Sequence, residues 1–178
     1  MLWATKLTTP YKYAIINPPW NLEGTILSDS DTWSEFSLID LFQQSNIEYL
    51  FLKVNISVLP FALNVYREST YDLYNIISWY KVDRVNIQRG NNEICLRNRC
   101  YCEYYLVFKN PNATTLKSFS TQCIYEIPSI NYYPECWVDK FVRQLNEQGY
   151  RGIIVDNIGV RDSLLYMKDK TVKKVELF

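Results

Sequence analysis

Short apolar segments alternate with helix-like or polar segments along most of this chain. The apolar segments are rich in β-branched and aromatic residues, a composition typical of buried strands. The predicted strands are 13–16, 47–54, 71–82, 101–109, 152–156 and 163–167, and the segment KVELF (174–178) closes the chain. Helices are predicted at 33–44, 57–69 and 134–149. This alternation predicts an α/β fold with a mostly parallel sheet and helices on both faces.

The segment 134–149 gives the clearest helical pattern. Pro134 suits the first turn of a helix, and Gly149 stands where a helix would end. The apolar residues between them recur at helical spacing and predict one buried face, made of Trp137, Val138, Phe141, Val142 and Leu145.

Composition narrows the classes of function. The chain has 178 residues, of which 48% are hydrophobic, and we expect one domain spanning 1–178. It contains no histidine, so a Ser-His-Asp triad and a His-ligated metal are excluded. The spacing of Cys95, Cys100 and Cys102 fits no zinc motif. With an odd cysteine count, no apolar leader and no long apolar run, we expect a reduced, intracellular protein outside the membrane.

Charge is unevenly distributed although the formal net charge is zero. Residues 21–50 carry acidic side chains without Lys or Arg. The stretch 81–99 is basic, and its cationic residues are candidate nucleic-acid contacts: Lys81, Arg84, Arg89, Arg97 and Arg99. Two faces of opposite sign on one domain are the alternative interpretation of this pattern.

The segment IINPPW (15–20) is the most informative motif. A loop at the carboxyl end of a strand in an open α/β sheet is a common ligand position. Two prolines make a rigid turn, so the side-chain oxygen of Asn17 and the carbonyl of Pro18 could face one donor. Trp20 offers a flat surface for a base. Two acceptors beside an aromatic ring suit the exocyclic amino group of a purine that is single-stranded or extruded from a duplex.

The motif [DNS]-PP-[YFW] after an apolar strand is the signature of amino-group methyltransferases that use S-adenosylmethionine. The chain resembles the MT-A70 family of adenine N6-methyltransferases over roughly residues 10–158. Segments resembling the family's own follow in order: YLFLKV (49–54) resembles FLFLW, YDLYNIISWYKV (71–82) resembles GY…VDEIIWVK, EYYLVFKNP (103–111) resembles EHCLVGVKG, NYYPECW (131–137) resembles the SHKP turn, and GIIVD (152–156) resembles KIELF. The resemblance implies a Rossmann-like methyltransferase fold.

Several positions depart from the family pattern. Asn17 replaces the Asp of DPPW, and Cys102 replaces a Lys that helps hold the cofactor. Tyr132 and Tyr133 replace the His and Lys of SHKP. The FGR that faces the cofactor is replaced near Val155, Asp156 and Asn157. The resemblance therefore implies a cofactor pocket whose contacts are lost, and a turn (Asn17, Pro18, Pro19 and Trp20) that is degenerate rather than catalytic.

MT-A70 proteins commonly pair a catalytic with a degenerate subunit, as in the ciliate DNA-methylating complex. The resemblance implies that this chain is the non-catalytic member of such a heterodimer. S-adenosylmethionine would then be held by the partner, and the nucleic acid would be DNA rather than RNA, in the nucleus. Two alternatives stay open: an active adenine N6-methyltransferase that uses the NPPW turn, and an interaction domain without nucleic-acid contact.

Overall fold

The computed structural model describes residues 11–18, 20, 42, 47–81, 102–114, 116, 123–126, 133–156 and 158–175. This part of the chain forms a sheet of seven strands with three helices. The strands are β1 (Tyr13–Ile16), β2 (Tyr49–Val54), β3 (Asp72–Tyr80), β4 (Cys102–Lys109), β5 (Cys123–Tyr125), β6 (Gly152–Asp156) and β7 (Gly159–Asp162). The helices are α1 (Leu59–Arg67), α2 (Glu135–Glu147) and α3 (Ser163–Val175). The predicted α/β class is confirmed.

The strands lie in the order β5-β3-β4-β2-β1-β6-β7. Strand β1 is parallel to both β2 and β6, and β3 is parallel to β5. Strand β4 runs antiparallel between β2 and β3, and β7 runs antiparallel to β6. The prediction of a mostly parallel sheet was therefore wrong, because the sheet is mixed. Strands β6 and β7 form a tight hairpin, which joins antiparallel strands without a crossover helix.

Helices cover both faces of the sheet, as predicted. One face carries α1 and a hydrophobic cluster that includes Ala14, Leu50 and Leu52. The other face carries α2 and α3, which pack on Phe51 and its neighbours through residues such as Phe141 and Tyr166. Successive strand residues point to opposite faces, and β1 and β2 are buried along their whole length. They are therefore the centre of the core.

The ends of α2 match the sequence pattern. Pro134 directly precedes the helix. Gly149 follows it with φ of 80°, a left-handed conformation that glycine adopts without steric cost. The buried face of the helix consists of Val138, Phe141, Val142 and Leu145.

One prediction near the carboxyl end was wrong. The segment 163–167 begins helix α3 instead of forming a strand. Of KVELF, Lys174 and Val175 lie in the same helix, and the rest lies outside the described residues. The Asp162 carboxylate accepts a hydrogen bond from the backbone N–H of Leu164 at 2.8 Å, an interaction that stabilises a helix amino end. Strands β5 and β7 were not predicted. Of the predicted helix 33–44 only Phe42 is described, and the rest lies outside the described residues.

None of the described helices has the length and apolar character needed to cross a membrane.

Candidate functional site

Four buried polar side chains lie side by side where the central strands end. Asp156 ends β6, Asn17 follows β1, Lys53 is near the end of β2, and Tyr105 pairs with Lys53 from β4. Asn17 comes directly after Ile16, which pairs with Leu52 and Val155. This set, Asp156, Asn17, Lys53 and Tyr105, is called the polar row below. Each residue is at most 2% exposed.

The polar row lies on the face covered by α2 and α3. Asn17 and Lys53 follow their buried odd-numbered neighbours Ile15 and Phe51, which belong to the cluster on that face. The carboxyl ends of the parallel strands β1, β2 and β6 meet here, and this is where open α/β sheets bind ligands. At the position predicted for the site, the buried side chains are therefore polar and not apolar.

Asn17 is held at the centre of the row. Its backbone N–H donates to the carbonyl of Val155 at 2.8 Å, which extends the β1–β6 ladder. The hydroxyl of Tyr105 donates to Asn17 Oδ1. Burial raises the pKa of Tyr105 well above its usual value, so this hydroxyl stays protonated and remains a donor. Asn17 Nδ2 is buried without a hydrogen-bond partner in the described part of the chain.

The polar groups of the turn after Asn17 have separate hydrogen-bond partners. The backbone N–H of Trp20 donates to the carbonyl of Pro18 at 3.0 Å. The indole Nε1 of Trp20 donates to the backbone carbonyl of Lys53 at 2.6 Å, and its ring packs against the cluster on the α1 face. The oxygens of Asn17 and Pro18 therefore accept from two different donors, and Trp20 packs with the opposite face of the sheet. Pro19 lies outside the described residues.

The β2 end of the row contains a group of charges. Lys53 Nζ lies 3.7 Å from a carboxylate oxygen of Glu103, and Lys81 Nζ lies 2.6 Å from the other oxygen. Burial lowers the pKa of Lys53 to about 8, an effect that the Glu103 carboxylate partly opposes. Lys81 also lies 5.3 Å from the centre of the Trp79 ring. Of the five predicted nucleic-acid contacts, Lys81 is the one that is described, and it is ion-paired within the protein.

The β6 end of the row is built around Asp156. One carboxylate oxygen pairs with the guanidinium of Arg161, and the other accepts from the backbone N–H of Ile158 at 2.9 Å. Through the latter bond, Asp156 caps the end of β6. The hydroxyl of Tyr133 lies 3.4 Å from the same carboxylate and 3.5 Å from the hydroxyl of Tyr166. Burial raises the pKa of Tyr133 to about 12.

The remaining predicted positions separate into three groups. Asn17, Tyr133 and Asp156 come together in or beside the polar row. Cys102 is half-buried at the start of β4, where it pairs with Tyr80 and alternates with Glu103, so it points away from the row. The other residues lie outside the described part of the chain: Tyr132, Asn157, Arg84, Arg89, Arg97 and Arg99.

Three members of the site had no sequence prediction: Lys53, Tyr105 and Arg161. Lys53 carried a detectable signal, because it is the one charged residue in the strand YLFLKV. Tyr105 and Arg161 carried no such signal. Tyr105 is one of several aromatic residues in β4, and Arg161 is one of two charged residues in the polar strand β7. Glu103 pairs with the basic side chains of Lys53 and Lys81.

No group of three or more His, Cys, Asp or Glu side chains suited to a metal occurs among the described residues. No protein-family model matches the chain, and no curated protein matches it.

Proposed function

We propose that this chain is a non-catalytic, MT-A70-like subunit that supports a catalytic partner in an adenine N6-methyltransferase complex. One observation carries the proposal: the groups that an active site would turn towards substrate and cofactor are bonded within the chain. Asn17 Oδ1 accepts from Tyr105, and Asp156 pairs with Arg161. The turn that begins at Asn17 lies at the carboxyl end of β1, where a catalytic turn would lie, but its acceptor groups are hydrogen-bonded to other residues of the chain.

The order of elements supports the family assignment. The segments that resemble the family in sequence overlap β2, β3, β4, the first turn of α2 and β6, in that order. The turn follows β1, which lies between two parallel neighbours in the middle of the sheet. These features fit the proposed Rossmann-like methyltransferase fold, in which ligands bind at the carboxyl ends of the strands.

The chemistry of the turn supports a non-catalytic role. Methyl transfer to an adenine amino group needs acceptors that orient its two protons. Asn17 is fully buried, and its carbonyl oxygen accepts from the hydroxyl of Tyr105, whose pKa is raised by burial. Its unpartnered atom is an N–H donor, which is the wrong polarity for an amino group. The Pro18 carbonyl is likewise engaged by Trp20.

The β6 end supports the absence of a cofactor from this chain. The resemblance places cofactor contacts near Tyr133 and Asp156, and here both residues are fully buried in a network with Arg161 and Tyr166. A cofactor at this position would have to displace a buried ion pair, which is costly. We therefore propose that the partner subunit holds S-adenosylmethionine, that the substrate is DNA rather than RNA, and that the complex is nuclear.

Calorimetric titration of the isolated full chain with S-adenosylmethionine tests the proposal. We expect no saturable binding. Binding with micromolar affinity would instead support the active enzyme. In the complex purified from its native source, Asn17→Ala is expected to leave most methylation intact. Complete loss of activity with the complex still assembled would falsify the non-catalytic assignment.

An interaction domain without nucleic-acid contact is the second candidate, favoured by the internal pairing of Lys81 with Glu103. Salt-dependent binding of nucleic acid to the chain separates the two candidates. If the subunit contacts nucleic acid, replacing Arg84, Arg89, Arg97 and Arg99 together by alanine will remove most of that binding. Binding that is absent from the start supports the interaction domain.

A further inference from the structure

Lys53 and Asn17 lie opposite each other at the centre of the polar row. Ile16 pairs with Leu52 in the β1–β2 register, so the next residue, Asn17, stands across from Lys53. Neighbouring strands are about 4.8 Å apart. The hydroxyl of Tyr105 on β4 donates to Asn17 Oδ1, and β2 lies between these two strands. The three side chains are therefore neighbours on one face of the sheet.

This arrangement contains a buried donor without an acceptor. Asn17 Nδ2 is fully buried and has no hydrogen-bond partner in the part of the chain that the structure describes. An ammonium group has three N–H donors and no acceptor, so protonated Lys53 does not satisfy this amide. A neutral amine has a lone pair that accepts a hydrogen bond. Because an unpaired buried donor is costly, Asn17 favours the neutral form of Lys53.

Glu103 is shared by two ammonium groups. Its carboxylate lies 2.6 Å from Lys81 Nζ and 3.7 Å from Lys53 Nζ. The positive charge of Lys81 also disfavours a second positive charge at Lys53. The side chain of Lys81 is 25% exposed, against 10% for Glu103 and 2% for Lys53. Lys81 is therefore the member of this group with the most contact with solvent, and its charge acts on Lys53 from the surface.

We propose that Lys53 is a proton-linked switch for the turn that begins at Asn17. In the protonated state the ammonium of Lys53 pairs with Glu103. In the neutral state, after the proton has passed to solvent, the amine accepts from Asn17 Nδ2 while Tyr105 continues to donate to Asn17 Oδ1. Asn17 is then held on both sides, and Glu103 pairs with Lys81. The charge at Lys81 sets the balance between the two states.

The surroundings of Lys53 support a titration in an accessible pH range. The charges that act on it belong to Glu103 of β4 and to Lys81, which follows β3. β1 contributes an uncharged amide, and α2 contributes the uncharged Trp137, which packs on Tyr105. Burial raises the pKa of Tyr105 well above its usual value. Burial lowers the pKa of Lys53 to about 8, so both states are populated at mildly alkaline pH.

NMR titration of the full chain, labelled with ¹³C at lysine Cε and ¹⁵N at asparagine, tests the switch. The Lys53 Cε signal, identified by its absence from Lys53→Met, reports the proton on Nζ. One Nδ2 proton of Asn17 should move downfield with the same midpoint as the pH rises. Asn17→Leu keeps the volume of the side chain but removes the donor. It should raise the Lys53 midpoint by about 0.5–1 pH unit, the equivalent of one hydrogen bond.

Two variants of Lys81 form a matched pair that tests the link to the surface. Lys81→Gln removes the charge that competes for Glu103, and it should raise the Lys53 midpoint. Lys81→Arg keeps the charge and should leave the midpoint near that of the unmodified chain.

Three results would overturn the proposal. The first is that the Asn17 amide of the unmodified chain does not follow the Lys53 midpoint, a measurement that needs no substitution at Asn17. The second is that Asn17→Leu leaves the midpoint unchanged or lowers it. The third is that Lys81→Gln and Lys81→Arg shift the midpoint equally. The titration uses the chain by itself, so its outcome is separate from that of the proposed role in a methyltransferase complex.

Discussion

At the β6 end of the polar row one carboxylate meets one guanidinium, whereas at the β2 end one carboxylate lies between two ammonium groups. Asp156 also accepts a backbone N–H bond and lies close to the Tyr133 hydroxyl. Glu103 is shared by Lys53 and Lys81. Asp156 therefore has several short-range contacts, whereas at the β2 end two ammonium groups share the charge of one carboxylate.

The difference indicates how each end responds to change. At the β6 end, loss of one contact leaves Asp156 with others. At the β2 end, Lys53 is buried and its pKa is lowered to about 8, which means that its charge already disfavours the folded state. The β2 end should therefore be the more sensitive of the two, both to mutation and to pH.

Replacing Glu103 by glutamine is expected to have the largest effect. The substitution keeps the shape of the side chain but removes the negative charge that faces the buried ammonium of Lys53. Removal of one partner from a buried ion pair typically costs about 3–5 kcal/mol, and we expect a loss of that size in the free energy of unfolding, measured by urea denaturation at neutral pH.

Arg161→Met is the matched change at the β6 end. Asp156 keeps the bond from the N–H of Ile158, so the expected loss is smaller, about 1–3 kcal/mol. If Arg161→Met destabilises the protein more than Glu103→Gln does, the contrast between the two ends is refuted.

The pH dependence of Lys53→Met sharpens the comparison. The pKa of Lys53 falls from 10.5 in the unfolded chain to about 8 in the folded protein. Between these values the unfolded state binds more protons, so the stability of the unmodified protein rises with pH in this window. The methionine variant has no such proton to lose. Its stability relative to the unmodified protein should therefore fall by about 2 kcal/mol as the pH rises from about 8 to about 9.5.

Urea denaturation of both proteins across this pH range measures the difference. Tyrosines such as Tyr133, whose pKa is raised to about 12, lower stability only above their unfolded pKa, and they do so equally in both proteins. A constant difference between the two proteins over the range would show that Lys53 does not titrate there.

The fold was predictable from sequence where burial dominated. Strand β1 and the boundaries of α2 follow from a continuous apolar run and from one apolar helix face. The structure of the segment 163–167 was not predictable, because a short apolar run is compatible with either a buried strand or a helix. The contact that favours the helix is the bond from the Leu164 N–H to the Asp162 carboxylate. Strand β7 was missed because GVRD is a polar edge strand, defined only by its pairing with β6.

The position of the site was predictable from the sequence, but the hydrogen-bond and ion-pair partners of its residues were not. The prolines after Asn17 identified the turn, but its partner Tyr105 is 88 residues away in sequence. Lys53 lies beside Asn17 because of the β1–β2 register. That register cannot be derived from the sequence of either strand alone. The Asp156–Arg161 pair likewise depends on the β6–β7 hairpin.

Tyr105→Phe tests the centre of the row and should have the smallest effect. The change removes the hydroxyl that donates to Asn17 Oδ1, and Asn17 Nδ2 is already unpartnered in the described part of the chain. A buried acceptor without a partner costs about 1–3 kcal/mol, and we expect the lower part of that range in urea denaturation, because the ring and its packing on Trp137 are kept.

Tyr133→Phe is the control. Its hydroxyl lies 3.4 Å from an Asp156 carboxylate that Arg161 already neutralises, so its loss should cost less. Equal losses would mean that the bond to Asn17 contributes nothing particular to the row, and that the turn is not fixed by Tyr105.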